Sequence, residues 1–507
     1  MAVRWRILLG LAAALALCAA APADGPKVRI DTGVVVGALA GPSKVFYAIP
    51  YAAPPVGSLR WEPPAPARPW TGERPATVPG PACPQLINPG GFPNLGGYSG
   101  PTSEDCLTLD VWAPPRARRA PVMVWIFGGG NVAGASSFFS YDGRNFARDG
   151  VVLVAVNYRL GALGFFAHRA LTAQAPKGQP LVSYGLMDQI AALKWVKRNI
   201  AAFGGDPANV TFFGESAGGA DVLALLAIPS ARGLFNRAIV ESGGGWDTPR
   251  SLAEREADGA GLATAAGLPG AKASADQLRA LPVDALIGHQ QGFTGPAIDG
   301  RLMTRDAAQA FAAGKADPVP LIIGSNSNEA SLLRAFGENP ADVAAKAPPR
   351  LAAAYAADGP NPAEIGRQMV NDEIMGAPAR WLARQASAHA PAWLYYFSYV
   401  PERQRGTRPG TNHASEIPFV FDSLDAVPGR SALISPSERA EATLAHSCWV
   451  AFARTGVPTC AGGQAWPRYS AQTDQLLDFG DPPAVRTRFR KTQLDAQEAA
   501  ARTKLGF

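Results

Sequence analysis

The residues best able to do chemistry lie at 212–220, FFGESAGGA, where one serine stands among glycines and alanines directly after an apolar run. For packing alone this is poor material, since glycine gives up backbone entropy and a buried glutamate must be desolvated. Small neighbours are what Ser216 needs at a sharp strand-to-helix turn that pushes its hydroxyl outward. Gly214, Ser216 and Gly218 form the G-x-S-x-G pattern of such a turn. At a helix start, peptide dipoles favour negative charge developing beside the serine. The implied chemistry is nucleophilic attack, which a hydroxyl performs only with a base to take its proton.

The chain has five histidines. On the hydrolase turn the acid and then the histidine follow the serine, which excludes His168. His389 ends an alanine-rich helical stretch. His446 shares a helical pattern with Leu444 and Trp449, the setting of a buried structural histidine. His413 lies in RPGTNHASEIPFVF, a Gly/Asn-containing stretch before an apolar anchor, where catalytic loops occur. His413 and His446 therefore compete as the base. For the acid, Glu329 follows VPLIIGSNSN at the carboxyl end of an expected strand, the edge where open α/β sheets collect their reactive groups. Asp317 and Glu338 are the alternatives. Gly128, Gly129 and Gly130 follow VMVWIF and leave their N–H groups unobstructed for an oxyanion. A phosphate loop would add Lys and Ser/Thr, which are absent.

These groups require a scaffold of strands and helices. VMVWIF, VVLVAV, VTFF, AIV, VPLIIG and WLYYFSYV read as buried strands. Between the second and third, MDQIAALKWVKRNIAAF (187–203) places Ile190, Leu193, Val196, Ile200 and Phe203 on one helical face. The alternation predicts an α/β fold, a mostly parallel central sheet with helices on both faces. VRIDTGVVVGAL and VFYAIPYA suggest antiparallel hairpins, and 250–315 and 340–390 are helical excursions from one body. Segment 50–101 is too rich in Pro and Gly for regular structure.

Over 507 residues a net charge of +6 is weak, and no Lys/Arg cluster has the spacing of a nucleic-acid surface. The opening MAVRWR followed by apolar residues 7–21 reads as a leader over 1–23, leaving 24–507 as one exported domain in the periplasm or medium. No other stretch suggests stable membrane insertion. Cys18 lacks the small preceding residue of a lipobox, leaving a lipid anchor as the lesser alternative. Cys83, Cys106, Cys448 and Cys460 permit three pairings in an oxidising compartment, and their spacing is not that of a metal site. No cofactor is expected.

The stretches YAIPYAAPPVGSLRW, SEDCLTLDVWAP, VMVWIFGGG, NYRLGALGF, GLMDQIAALKWVKRNIAAFGGDPANVTFFGESAGG, GLFNRAIVESG, IIGSNSNEAS and HASEIPFVF resemble the type-B carboxylesterase and cholinesterase family of α/β hydrolases. The resemblance runs from about Val28 to Trp466. It implies the α/β-hydrolase fold and a small-molecule ester substrate, with Ser216 as nucleophile, Glu329 as acid, His413 as base and Gly129, Gly130 and Ala217 as oxyanion donors. It also implies a Cys83–Cys106 bridge, an Arg60–Glu104 ion pair, buried structural roles for Arg159 and Asp188, and support of the histidine by Glu215. The same machinery would serve amide or lactone hydrolysis, and adhesion proteins of this fold are non-catalytic but usually lack a triad member. Three positions depart from the family pattern. Phe127 replaces a frequent His, Asn131 a usual Phe or Tyr, and Asp221 a common small hydroxyl residue. Asn131 would bring an amide to the acyl side, and Trp246 is a candidate for the acyl pocket. The Cys83–Cys106 loop lacks the Trp that choline-binding relatives use for cation–π attraction, leaving Phe92 and Tyr98 as substitutes.

Overall fold

A computed structural model describes residues 25–246, 249–290, 292–426 and 429–505. The leader expected over 1–23, with Cys18, lies outside the described residues. The central sheet is built from β1 (Ala38–Ala40), β2 (Ser43–Pro50), β3 (Thr108–Ala113), β4 (Ala120–Ile126), β5 (Val152–Val156), β6 (Gly205–Glu215), β7 (Arg237–Glu241), β8 (Leu321–Asn326), β9 (Ala392–Phe397), β10 (Gln475–Phe479) and β11 (Ala484–Thr487). Their spatial order is β1-β2-β3-β5-β4-β6-β7-β8-β9-β10-β11. From β5 to β10 every neighbouring pair is parallel, while hairpin-like antiparallel pairs close both edges. The sequence expectation of a mostly parallel sheet holds.

The middle strands are buried on both faces, so VLVAV of β5 is apolar at every position rather than at alternate ones. Helix α1 (Tyr184–Asn199) follows β5 and continues as a tighter turn to Phe203, where Gly204 in the left-handed region (φ 87°) ends it. β6 then begins at Gly205, five residues before the VTFF core that marks it in the sequence. It runs directly into α2 (Ala217–Ala227). Two further helices cover the sheet, α3 (Ala377–Ser387) and α4 (Pro436–Thr455). Segment 50–101 is mostly irregular but contributes a short strand, Glu73–Pro75, paired with Val34–Val36. Among the described residues no helix is long and apolar enough to cross a membrane.

Two buried ion pairs pin the N-terminal half. Arg159 grips Asp188 through Nε and Nη2 at 2.8 and 2.7 Å, and Arg60 grips Glu104 at 2.8 and 2.6 Å. Arg60 Nη1 also donates to the carbonyls of Arg279 and Leu281, so the pair ties two distant segments together. Such bidentate geometry is what offsets the desolvation of both ions.

Cys83 is bonded to Cys106 and Cys448 to Cys460. The first bridge closes a 23-residue loop whose Leu95, Gly96 and Gly97 border the main cavity. Opening it by Cys83→Ala/Cys106→Ala should lower stability by about 3 kcal/mol, the loop-closure entropy regained by the unfolded chain. KM should rise as the cavity border loosens. Denaturant titration checks the first effect, and an unchanged midpoint would refute it.

Candidate active site

Ser216 lies between β6 and α2 at φ 56°, ψ −125°, a backbone conformation that side chains rarely adopt. Glycine makes the turn possible by clearance. A Cβ on Gly218 would fall 2.1 Å from the Ile126 carbonyl oxygen, and one on Gly214 would meet Gly218 backbone at 2.7 Å. On the other side, a Cβ on Gly128 would stand 2.8 Å from Ser216 Cβ. The elbow is anchored from behind, where Ser216 N–H donates to the Glu241 carbonyl at 2.9 Å.

Three loops bring the remaining groups to it. His413 Nε2 lies 2.8 Å from Ser216 Oγ, and Nδ1 lies 2.6 Å from Glu329 Oε2. Glu329, fully buried at the end of β8, accepts through Oε1 from Ser242 Oγ (2.5 Å) and Asn326 N–H (2.6 Å). His413 N–H donates to Ser331 Oγ, and Asn328 and Asn412 join the two loops through their side chains at 2.7 Å. Of the candidates the sequence left open, His413 and Glu329 are the two brought to Ser216. His446 is buried elsewhere, held by the Val420 carbonyl and Asp149. Neither Asp317 nor Glu338 meets His413. Ser242 was not singled out in the sequence; its only local mark is the ESGGG stretch after β7.

The site is strongly acidic. Glu215 Oε1 is 3.1 Å from His413 Nε2 but outside hydrogen-bond geometry. Behind it, Glu241 accepts from Trp449 Nε1, and Glu416 accepts from Asn326 Nδ2. Burial alone would lower the His413 pKa, but the Glu215 and Glu329 carboxylates outweigh it and raise His413 from 6.5 to about 10. Burial, reinforced by Glu416 and Glu329 against the pull of His413, carries Glu215 up to about 8. Burial and Glu329 carry Glu416 to about 7, and burial and Glu416 raise Glu241 well above the carboxylate range. Protons on these carboxyls weaken the field at the imidazole, so the group titrates as a unit.

The glycine loop is fixed through its carbonyls. Gly129 O accepts from the N–H groups of Val132 and Ala133, Gly130 O from Thr294 N–H (3.0 Å), and Asn131 O from Gly161 N–H (2.7 Å). Gly129 and Gly130 have positive φ, 94° and 63°, and border the same cavity as Ser216 and Ala217. The cavity has a volume of about 790 Å³. Trp246 borders it, as expected, whereas Phe92 and Tyr98 do not. Asn131 borders it too, but both ends of its amide are engaged in the wall. Oδ1 accepts from Tyr158 OH at 3.0 Å, and Nδ2 donates to Asp221 at 3.2 Å. Its amide is therefore committed to the protein rather than offered to an acyl group. Asp221 is carried by burial up to about 7, against the hydrogen bonds from Gln189 and Asn131.

A strained serine, an imidazole and a carboxylate in line on this sheet define a serine hydrolase of the α/β-hydrolase fold. A model of the carboxylesterase family matches residues 24–497. The chain is 35% identical over 515 residues to the fumonisin B1 esterase of Sphingopyxis macrogoltabida, covering 94% of this chain and 91% of that protein. It is 35% identical over 476 residues to the para-nitrobenzyl esterase of Bacillus subtilis, covering 89% and 94%. A carboxylesterase of Geobacillus stearothermophilus, solved at pH 6.2, superposes with a TM-score of 0.82 at 31% identity, covering 93% of this chain and 99% of that one. The chain belongs to the carboxylesterase family, and it is a carboxylic-ester hydrolase.

Only a neutral imidazole can take the serine proton, so activity should fall as pH drops through the apparent pKa of the group. The raised His413 places this acid limb above 6.5. Glu329→Gln removes one of the charges that raise His413, so the limb in a kcat/KM profile should move to lower pH. The plateau should fall on the order of 10²–10⁴-fold as the imidazole loses its orienting carboxylate. A limb that stays in place would show that Glu329 does not act electrostatically on His413.

Proposed function

We propose that Ser216, His413 and Glu329 carry the ester hydrolysis through a covalent acyl-enzyme. Ser216 Oγ attacks the carbonyl carbon while His413 Nε2 takes its proton, and Glu329 holds Nδ1–H and stabilises the imidazolium. Negative charge on the carbonyl oxygen is met by the N–H groups of Gly129, Gly130 and Ala217. The imidazolium then protonates the departing alkoxide. Water, activated by the same histidine, attacks the acyl carbon and releases the acid and the free serine. The observation that carries this reading is the continuous chain from Ser216 Oγ to His413 at 2.8 Å and on to Glu329 at 2.6 Å.

Glu215 serves in this scheme as a charge facing the imidazolium, since it makes no hydrogen bond to the serine. Apolar groups such as Leu223, Trp246, Ile374 and Ile417 border the cavity beside the serine, which supports esters with apolar acyl or alcohol parts. Residues 24–507 act as one catalytic domain, exported after removal of 1–23. The two disulfides support an oxidising compartment.

Ser216→Ala and His413→Ala should each lower kcat on the order of 10⁴–10⁶-fold, and the double variant should lose little more, because the groups act as one. A fluorophosphonate probe should label Ser216 in the wild type and in His446→Ala but not in His413→Ala. Full-rate labelling of His413→Ala with loss in His446→Ala would overturn the assignment.

A further inference from the structure

Phe127 and Asn131 flank the glycine loop and Asp221 lies 90 residues after Asn131, yet these three departures from the family pattern form one connected unit in the fold. Asn131 Nδ2 donates to Asp221 Oδ1 at 3.2 Å, and Gln189 Nε2 donates to Asp221 Oδ2 at 2.5 Å. The Tyr158 hydroxyl stands 2.8 Å from the Phe127 carbonyl oxygen and 3.0 Å from Asn131 Oδ1, with one proton between two acceptors. The Phe127 ring stacks on the Tyr158 ring, centroids 4.7 Å apart and planes 26° apart. Asp221, Gln189 and Tyr158 are completely buried, and Asn131 is 2% exposed.

The position of this unit gives it meaning. Asn131 directly follows Gly129 and Gly130, while Asp221 sits on α2, the helix that begins at Ala217. The Asn131–Asp221 bond therefore joins the two separate pieces of backbone that supply the oxyanion donors. Asn131 also has a left-handed backbone (φ 57°), which an L-residue keeps only when its surroundings enforce it. A buried carboxylate is costly unless its oxygens find donors, and here both do. An aromatic residue at 131 and a short hydroxyl residue at 221 could not make this link.

We propose that Asp221 and Asn131 are positioning residues that set the spacing of the oxyanion hole by bracing the glycine loop against the nucleophile helix. This rests on the reading of Gly129, Gly130 and Ala217 as the oxyanion donors. Asp221 does not border the cavity, and Asn131 borders it with both ends of its amide bonded to the protein. The bridge acts on the donors, so its loss weakens stabilisation of the tetrahedral state more than binding of the ester.

The test compares Asp221→Ser, Asn131→Ala, their combination and Asp221→Asn on 4-nitrophenyl butyrate, with thermal unfolding recorded for each. Butylboronic acid is the second readout, because Ser216 Oγ bonds to its boron as the serine proton passes to His413, giving a tetrahedral anion. Asp221→Ser and Asn131→Ala should lower kcat on the order of 10–100-fold, leave KM within about threefold and weaken boronate inhibition in parallel with kcat/KM. The double variant should lose no more than the worse single one. Asp221→Asn should recover most of the rate. Gln189 Oε1 has no partner, and turning that amide over lets it accept from the introduced one. An Asp221→Ser protein that melts earlier but keeps its kcat would reduce the bridge to packing. Additive losses, or an Asp221→Asn as impaired as Asp221→Ser, would overturn the proposal as well. Wild-type activity persisting in Ser216→Ala would instead bring down the reading beneath it.

Discussion

Everything at this site depends on how closely β6 and α2 approach β4 and the loop beyond it. The Ile126 carbonyl occupies the space that any side chain at 218 would need, and Ser216 itself would crowd one at 128. That contact holds Ser216 at a positive φ, aims its hydroxyl out of the sheet and leaves Ala217 N–H at the start of a helix. Such backbone strain persists only when surrounding structure enforces it. Here the parallel pairing of β4 with β6, and of β6 with β7, supplies the enforcement. The bond from Ser216 N–H to the Glu241 carbonyl completes it.

Charge is the second constraint. A lone imidazole facing Glu215, Glu329, Glu416 and Glu241 in a buried space cannot neutralise them all, so protons are retained on the carboxyls that lack good donors. Glu329 differs from the others in having three partners, His413, Ser242 and Asn326 N–H. These three contacts fix the orientation of the Glu329 carboxylate toward His413. Glu215 and Glu416 each keep an oxygen without a hydrogen-bond partner, consistent with their upward shifts. Hydrogen-bond supply, as well as closeness to the histidine, thus distinguishes Glu329 from the other carboxyls.

The sequence made the scaffold legible where one residue type has one physical use. Short runs rich in β-branched residues, such as VLVAV, read as buried strands, and the glycines around Ser216 mark a turn that tolerates no bulk. The candidate histidine and acid were narrowed but not decided by composition, because His446 and His413 both precede or lie within apolar segments. The choice depends on which loop reaches the carboxyl edge of the sheet, a matter of long-range packing. Ser242 and the orientation of Asn131 were hidden for the same reason. A serine and an amide carry no periodic signal, and their partners Glu329 and Asp221 are 87 and 90 residues distant. The length of β6 was underestimated because its first residues, GDPAN, are poor strand formers that tertiary pairing overrides.

The departures at 127, 131 and 221 are best understood as one exchange of forces. An aromatic residue after the glycines can brace that loop by packing, which is insensitive to small rotations. Asn131 fills the position with a directional group instead, so its two ends must find a donor and an acceptor at fixed geometry or remain buried and unsatisfied. Tyr158 provides the donor and Asp221 the acceptor. Phe127 adds an apolar face that stacks against Tyr158 and introduces no further titrating group beside the serine. The loop is thereby held by hydrogen bonds whose partners come from the strand–helix connection after β5 and from α2. A substitution at any one of these positions changes the satisfaction of the others, and the three residues make physical sense only together.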